Sequence, residues 1–258
     1  MIKETEIKKT KINNLMQSSP NGVVFLSSWL TSQGYPYELQ QRYRKGGWLK
    51  LAGKGAMLKS GDALTLSGGL AALQQQAGMN IHIGGRSALG SLGLAHYLQV
   101  NEQEITLFTE ERTALPAWFF NAEWETKIRL FRFSFFSDKM AGLTDYKDGE
   151  LTVKISDAAR AMMECLYLCP VQFSLTEAFE LMEGLATLRP VVVQSLLEQC
   201  KSVKVKRLFL YFAEKIGHSW FKYLDTSKIT IGAGDRSLSE NGAYVAKYKL
   251  VLPKEIVG

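Results

Sequence analysis

The feature that most constrains the fold is the spacing of chain breakers between residues 19 and 61. Ser19-Pro20-Asn21-Gly22 closes one amphipathic stretch, Gly34 and Pro36 separate two more, Gly46-Gly47 ends the second of these, and Gly53-Lys54-Gly55 divides two strand-like runs. None of these segments is long enough to bury a face alone. Their order therefore dictates short helices packed on each other and on a hairpin. Thr5 to Ser18 reads as a helix, with Ile7, Ile12, Leu15 and Met16 on one side and Lys8, Lys9 and Lys11 between them. Val23 to Leu26 is a short apolar run, and Ser27 to Gln33 a second helix that turns Trp29 and Leu30 inward, with Gly34 past its end. Pro36 opens a third helix, PYELQQRYRK, at the position where its missing N–H costs nothing. Trp48–Leu51 and Ala56–Lys59 are the strands of a hairpin. Helix-turn-helix followed by a hairpin is the order of a winged helix.

The faces of the third helix follow from about 100° per residue. Leu39 and Tyr43 point one way, while Tyr37, Gln41 and Arg44 point the other, flanked by Gln40 and Lys45. Glutamine pairs with adenine edges, and arginine with guanine edges or phosphates. The residues expected to face DNA are therefore Tyr37, Gln40, Gln41, Arg44 and Lys45, with Arg42 at the flank and Lys50, Lys54 and Lys59 from the wing. Charge supports this placement. The chain has a net charge of +6, yet residues 1–60 hold ten basic and three acidic side chains, and the other 198 residues hold 21 basic and 22 acidic. The whole surplus lies on the winged helix, as expected for a segment that binds a polyanion. A solvated basic face without a partner would carry the same charge.

Residues 79–258 read as a larger mixed α+β domain, so the expected fold class is α+β with a winged helix-turn-helix over residues 1–78. A helix from Leu64 to Gln76 should be interrupted at Gly68-Gly69. Strands are expected at 81–83, 105–108 and 127–135, with a polar turn region at 145–150 and helices at 157–169, 174–182, 190–200 and 208–216. Lys228–Ile231 and Ala243–Leu252 read as strands. No apolar run exceeds the six residues Leu208–Ala213, far short of the 18 or so that span a membrane. The N-terminus has no apolar core of a secretory signal, which makes the cytoplasm the expected compartment.

Cys165 and Cys169 are one helical turn apart, but they share a stripe with Ala158, Ala161, Met162 and Leu166, and Cys200 continues another apolar stripe. They read as core cysteines, with no metal and no cofactor expected. His82, His96 and His218 form no metal-binding set. Gly85-Arg86-Ser87-Ala88-Leu89-Gly90 is one residue too long for a nucleophile elbow, and Gly232-Ala233-Gly234 is not followed by a helix that would hold pyrophosphate. The expected reading is a non-enzyme. Two alternatives remain. One is a nucleic-acid-directed enzyme using His82, Arg86, His218 and Asp235. The other is a one-component regulator whose aromatic-rich segment 117–136 lines an effector pocket. A second basic cluster, Lys201, Lys204, Lys206 and Arg207, offers a surface for a protein or nucleic-acid partner, or is the polar start of a helix that buries Leu208, Phe212 and Ile216.

Beyond the winged helix, the runs LAALQQQ, IHIGGRSALGSLGLAHYL, ITLFTEERTALPAWF, VKISDAARAMMECLYL, LMEGL and VKVKRLFLYFAEKIGHSWFKYLD follow in an order that resembles the AbiEi-type antitoxins of type IV toxin–antitoxin systems. The resemblance covers nearly the whole chain and rests on diffuse patterns. It implies a winged helix that represses its own operon by binding inverted repeats in double-stranded promoter DNA. It also implies a C-terminal domain that opposes a nucleotidyltransferase-like toxin, a partner it need not touch. Gly90-Ser91 is not followed by the DxD of such a toxin, which fits the antitoxin side of the pair.

Overall fold

The computed structural model describes residues 10–95 and 104–258. The expected helical positions Thr5 to Lys9, including Ile7, Lys8 and Lys9, and the side chain of His96 lie outside the described residues. The chain forms two compact units. One runs to Ile81 and includes Thr113–Glu125 and Asp145–Val153; the other holds His82–Arg112, Thr126–Thr144 and Lys154–Gly258.

The first unit opens with α1 (Lys11–Ser18), whose N-terminus is capped by the Thr10 hydroxyl accepting from the Asn13 amide. Then come β1 (Phe25–Leu26), α2 (Ser27–Ser32), α3 (Tyr37–Lys45), β2 (Leu49–Gly53) and β3 (Ala56–Lys59). The strands form a sheet in the order β1-β3-β2, with Phe25 opposite Met57 and Lys50 opposite Leu58. This is a winged helix: β2 and β3 are the wing, and Gly55, at φ 85°, makes its turn. Leu15, Val24, Phe25, Leu30, Leu49, Met57 and Leu58 fill the core beneath the helices.

α4 (Leu66–Ala71) corrects the expected break at Gly68-Gly69: the helix runs through both glycines and continues as a π-helical turn, Ala72–Gln76. The glycines serve close packing. A Cβ on Gly68 would lie 2.0 Å from the Gly22 carbonyl oxygen, and one on Gly69 would lie 2.6 Å from the Trp124 ring. Gln76 then ties this turn to the sheet, its amide donating to the Val24 carbonyl while its oxygen accepts from the Leu26 amide.

The rest of the chain contributes β4 (Ile81–Ile83), α5 (Gly85–Ser91), β5 (Glu104–Thr109), α6 (Ala117–Asn121), β6 (Lys127–Arg132), β7 (Leu143–Asp148) and β8 (Leu151–Ser156). These strands form a five-stranded sheet in the order β6-β5-β4-β8-β7. β5 and β6 are parallel from Glu104↔Lys127 to Thr109↔Arg132, so a crossover must join them, and it carries α6. The polar turn expected over 145–150 is mostly strand, because β7 and β8 form a hairpin around Gly149 at φ 59°.

Helices α7 (Ala158–Leu168), α8 (Leu175–Glu183), α9 (Pro190–Gln199) and α10 (Val203–Ile216) form the helical layer of the second unit. Asp157, Ser174 and Ser202 cap α7, α8 and α10. α10 begins five residues before the expected Leu208. β6 ends at Arg132; Phe133 and Phe135 leave it to stack at 4.4 Å and pack on Tyr167. The expected strand Ala243–Leu252 is two strands, β10 (Ala243–Val245) and β11 (Leu250–Leu252), turned at Lys249 with φ 51° and joined by β9 (Arg236–Ser237). Lys228–Ile231 forms no strand. The chain ends in α11 (Lys254–Val257).

Candidate nucleic-acid interface

α3 is built to present one face and anchor the other. Pro36 caps it in an extended conformation, and the side chains that turn inward are Tyr43 and Gln40. Gln40 is only 1% exposed and is a correction to the expected DNA face. Its amide donates to the Ser27 carbonyl, the Thr31 hydroxyl and the Tyr35 carbonyl at 2.8–3.0 Å, and its oxygen accepts from the Ser27 hydroxyl at 2.6 Å. Four bonds to α2 and the intervening turn leave nothing to offer a base. The helical wheel put Gln40 at the border of the two faces; burial in the turn decided the side.

Tyr37, 60% exposed, lies on the outward face with exposed Arg42 and Lys45 and half-buried Gln41 and Arg44. Arg44 donates weakly to the Gln41 side chain at 3.4 Å. This leaves amide and guanidinium groups side by side one helical turn apart, a pair that can read base edges. The wing continues the surface. Lys50 is exposed on β2, and Lys54 is exposed at the tip.

Lys59 is a second correction. Its ammonium donates to the carbonyls of Met16 and Ser19 at 3.0 and 2.7 Å. It thus satisfies the free carbonyl end of α1, where a cation also meets the negative end of the helix dipole. Trp48 and Leu51 were not singled out from the sequence, yet they are 48% and 52% exposed on the wing beside Lys50. Leu51 shares a face of β2 with Leu49, yet only Leu49 is buried, so the alternation of the strand gives no signal for its exposure.

Two protein-family models match the chain. Residues 8–100 match the model for the N-terminal domain of the AbiEi antitoxin transcriptional regulators, and residues 102–253 match the model for the transcriptional regulator, AbiEi antitoxin, of type IV toxin–antitoxin systems. The chain belongs to the AbiEi antitoxin family. The crystal structure of the RV2827C protein from Mycobacterium tuberculosis shares the fold, with a TM-score of 0.56, 15% sequence identity, and coverage of 93% of this chain and 89% of that one. No curated protein matches the chain.

In this AbiEi-family chain the second basic cluster is not a surface, and that too is a correction. Arg207 is fully buried and donates to the carbonyls of Ile231, Gly232, Gly234 and Lys249, so it organises the segment before β9 and the turn before β11. Lys206 is buried on the same helix. Lys204 lies over the Tyr167 ring and donates to the carbonyls of Tyr167 and Cys169; burial pushes its pKa down. Of the four, Lys201 alone is exposed. The cause is the earlier start of α10, which draws residues 204–207 into the helix body.

The residues of the enzyme alternative are not assembled. His82 bonds Glu164 at 2.9 Å, His218 bonds the Met182 carbonyl at 2.8 Å and stacks on Trp220, Arg86 pairs with Glu177 at 3.2 Å, and Asp235 accepts from the Tyr244 hydroxyl. Glu164 is the centre of a buried network, accepting from His82, the Arg160 guanidinium, the Gly85 amide and the Ser156 hydroxyl. Burial raises its pKa, but the charge and hydrogen bonds of His82 and Arg160 outweigh that and hold it below the usual value. Burial pushes the His82 pKa down against the pull of Glu164. This is a satisfied structural carboxylate. The three cysteines are buried and free, with the Cys169 thiol pushed up to about 12 and Cys200 to about 11 by burial. Such thiols are not nucleophiles. Among the described residues no helix is long and apolar enough to cross a membrane.

Proposed function

We propose that the protein represses its own operon by binding inverted repeats in the double-stranded promoter, with α3 in the major groove and the wing on the adjacent backbone. A single arrangement carries the reading: Gln41 and Arg44 on the open face of α3, with Arg42 and Lys45 beside them and Lys50 and Lys54 on the wing that follows. Gln41 and Arg44 supply base readout, and the lysines, Arg42 and Tyr37 supply backbone contacts that position the helix without reading sequence. In the same proposal the remainder of the chain counteracts a nucleotidyltransferase-like toxin, without a required stable complex.

Titration of the full chain onto duplex promoter DNA over a range of salt tests the first part. Each phosphate contact contributes about −0.9 to the log–log slope. Arg44→Ala should relax sequence preference, and Lys54→Ala should lower the slope without relaxing it. Loss of both effects sinks the interface. Growth rescue of cells that co-express the full chain with a nucleotidyltransferase-like toxin tests the second part; failure of the full chain to rescue contradicts it.

A second reading has one observation in its favour. A cleft of about 820 Å³ in the second unit is lined by Ile83, Phe131, Leu168 and Phe173 together with the ion-paired side chains of Arg86, Glu177, Arg129 and Glu104. Its size suits a small effector. Release of promoter DNA by a metabolite pool, abolished by Phe131→Trp, would favour this regulator reading over the antitoxin one.

A further inference from the structure

The wing rests on a residue from a distant part of the sequence. Gly53 ends β2, one residue before Lys54, and a Cβ placed on it would lie 2.6 Å from Trp118 Cβ and 3.2 Å from Trp118 Cα. Its φ lies outside the left-handed region, so the backbone itself would accept any residue here. Only the close approach of α6 demands glycine. Trp118 is buried, with Phe119 edge-on at 5.7 Å and Trp124 at 6.4 Å. Trp124 donates from its indole to the Phe119 carbonyl at 2.9 Å and fits against Gly69 of α4. The aromatic cluster thus grips α4 and the end of β2 together.

The wing needs such support. β1 is two residues long and pairs with β3, leaving β2 at the edge of the sheet, and the β2–β3 register slips between Leu51 and Gly53. A hairpin with so little pairing is marginal by itself. Fixing Gly53 fixes the direction in which the chain leaves β2 for Lys54.

We propose that Trp118 is a positioning residue for the wing: by holding Gly53 it sets where Lys54 meets the DNA backbone. The consequence for DNA rests on the proposed interface; the contact itself does not. Trp118 lies in the crossover between β5 and β6, outside residues 8–100 that match the family's N-terminal domain. The DNA-binding module is therefore discontinuous, and residues 113–125 complete it.

The test uses the full chain carrying Gly53→Ala, Lys54→Ala or both, with Arg44→Ala as a second probe in each background. Two readouts are taken: the salt slope of binding to duplex promoter DNA, and amide hydrogen exchange of residues 49–59. In the parent, Lys54→Ala should lower the slope by about 0.9. In the Gly53→Ala background it should change nothing, while Arg44→Ala keeps its effect, and wing amides should exchange at least tenfold faster with those of Val24 and Leu30 unchanged. Should Gly53→Ala unfold the unit, Trp118→Leu, which thins the cluster without adding volume at the wing, should speed the same amides; Trp118→Phe should behave as the parent. An equal loss of slope from Lys54→Ala in both backgrounds, or wing exchange that neither Gly53→Ala nor Trp118→Leu alters, overturns the proposal. A Lys54→Ala variant silent in every background refutes the DNA role of the wing instead, and exchange then decides the brace by itself.

Discussion

Ser27, the first residue of α2, donates its hydroxyl proton to the side-chain oxygen of Gln40 in the middle of α3 at 2.6 Å. With the three bonds from the Gln40 amide, this contact fixes the angle between the two helices of the helix-turn-helix. Removing a buried partner leaves donors and acceptors unpaired, at about 1–3 kcal/mol. Gln40→Ala should therefore lower unfolding stability in urea by that amount and weaken promoter binding, yet leave the salt slope intact. A change of slope instead of stability would return Gln40 to the DNA face.

Lys59 makes the complementary case. Its bonds to the Met16 and Ser19 carbonyls hold the end of α1. Charge-assisted bonds of this kind contribute about 1.5–3 kcal/mol. Lys59→Met should reduce stability and leave the slope of binding against salt unchanged. A drop in slope by about one phosphate contact, with no loss of stability, would contradict the assignment.

Gly68→Ala sets helix propensity against packing. Alanine is the better helix former by about 1 kcal/mol. Its Cβ, however, would be 2.0 Å from a backbone oxygen that no rotamer change can move. Overpacking of this sort costs about 1–3 kcal/mol. We expect net destabilisation by urea unfolding; a stabilised variant would show that α4 and the Gly22 turn are not so close.

The His82–Glu164 pair gives stability a pH dependence. Both native pKa values lie below their ordinary values of 6.5 and 4.5, so the unfolded chain takes up protons first on acidification. Their contributions are fully present above those ordinary values and are lost as pH falls, from about 6.5 for His82 and about 4.5 for Glu164. Melting temperature should fall between pH 7.5 and 5.5. His82→Gln, which retains a donor to Glu164, should flatten that part of the curve. A wild-type melting temperature that rises on acidification would mean that His82 is charged in the fold.

The winged helix was legible because its signals are local: a capping residue, breakers at fixed offsets and a turn glycine each act over a few positions. The charge surplus falls on the same segment of the sequence. What the sequence hid was decided by contacts distant in the chain. Gln40 and Lys59 look like DNA ligands until the partners that occupy them, in α2 and at the end of α1, are in place. Lys206 and Arg207 read as surface because a hydrophobic count starts α10 at Leu208, whereas Ser202 caps it earlier and turns both residues inward. Gly68 and Gly69 read as a break because periodicity does not show that Gly22 and Trp124 press on them.

The proposed binding of the protein's own promoter by α3 and the wing is measured most directly as the affinity of the full chain for that duplex and for a scrambled duplex, at salt concentrations from 50 to 300 mM. The account predicts a preference for the promoter of roughly 10³-fold or more. It also predicts a steep salt slope that Lys54→Ala reduces, and a preference that Arg44→Ala erodes. Equal affinity for the two duplexes, or a slope and preference that neither variant changes, would contradict it.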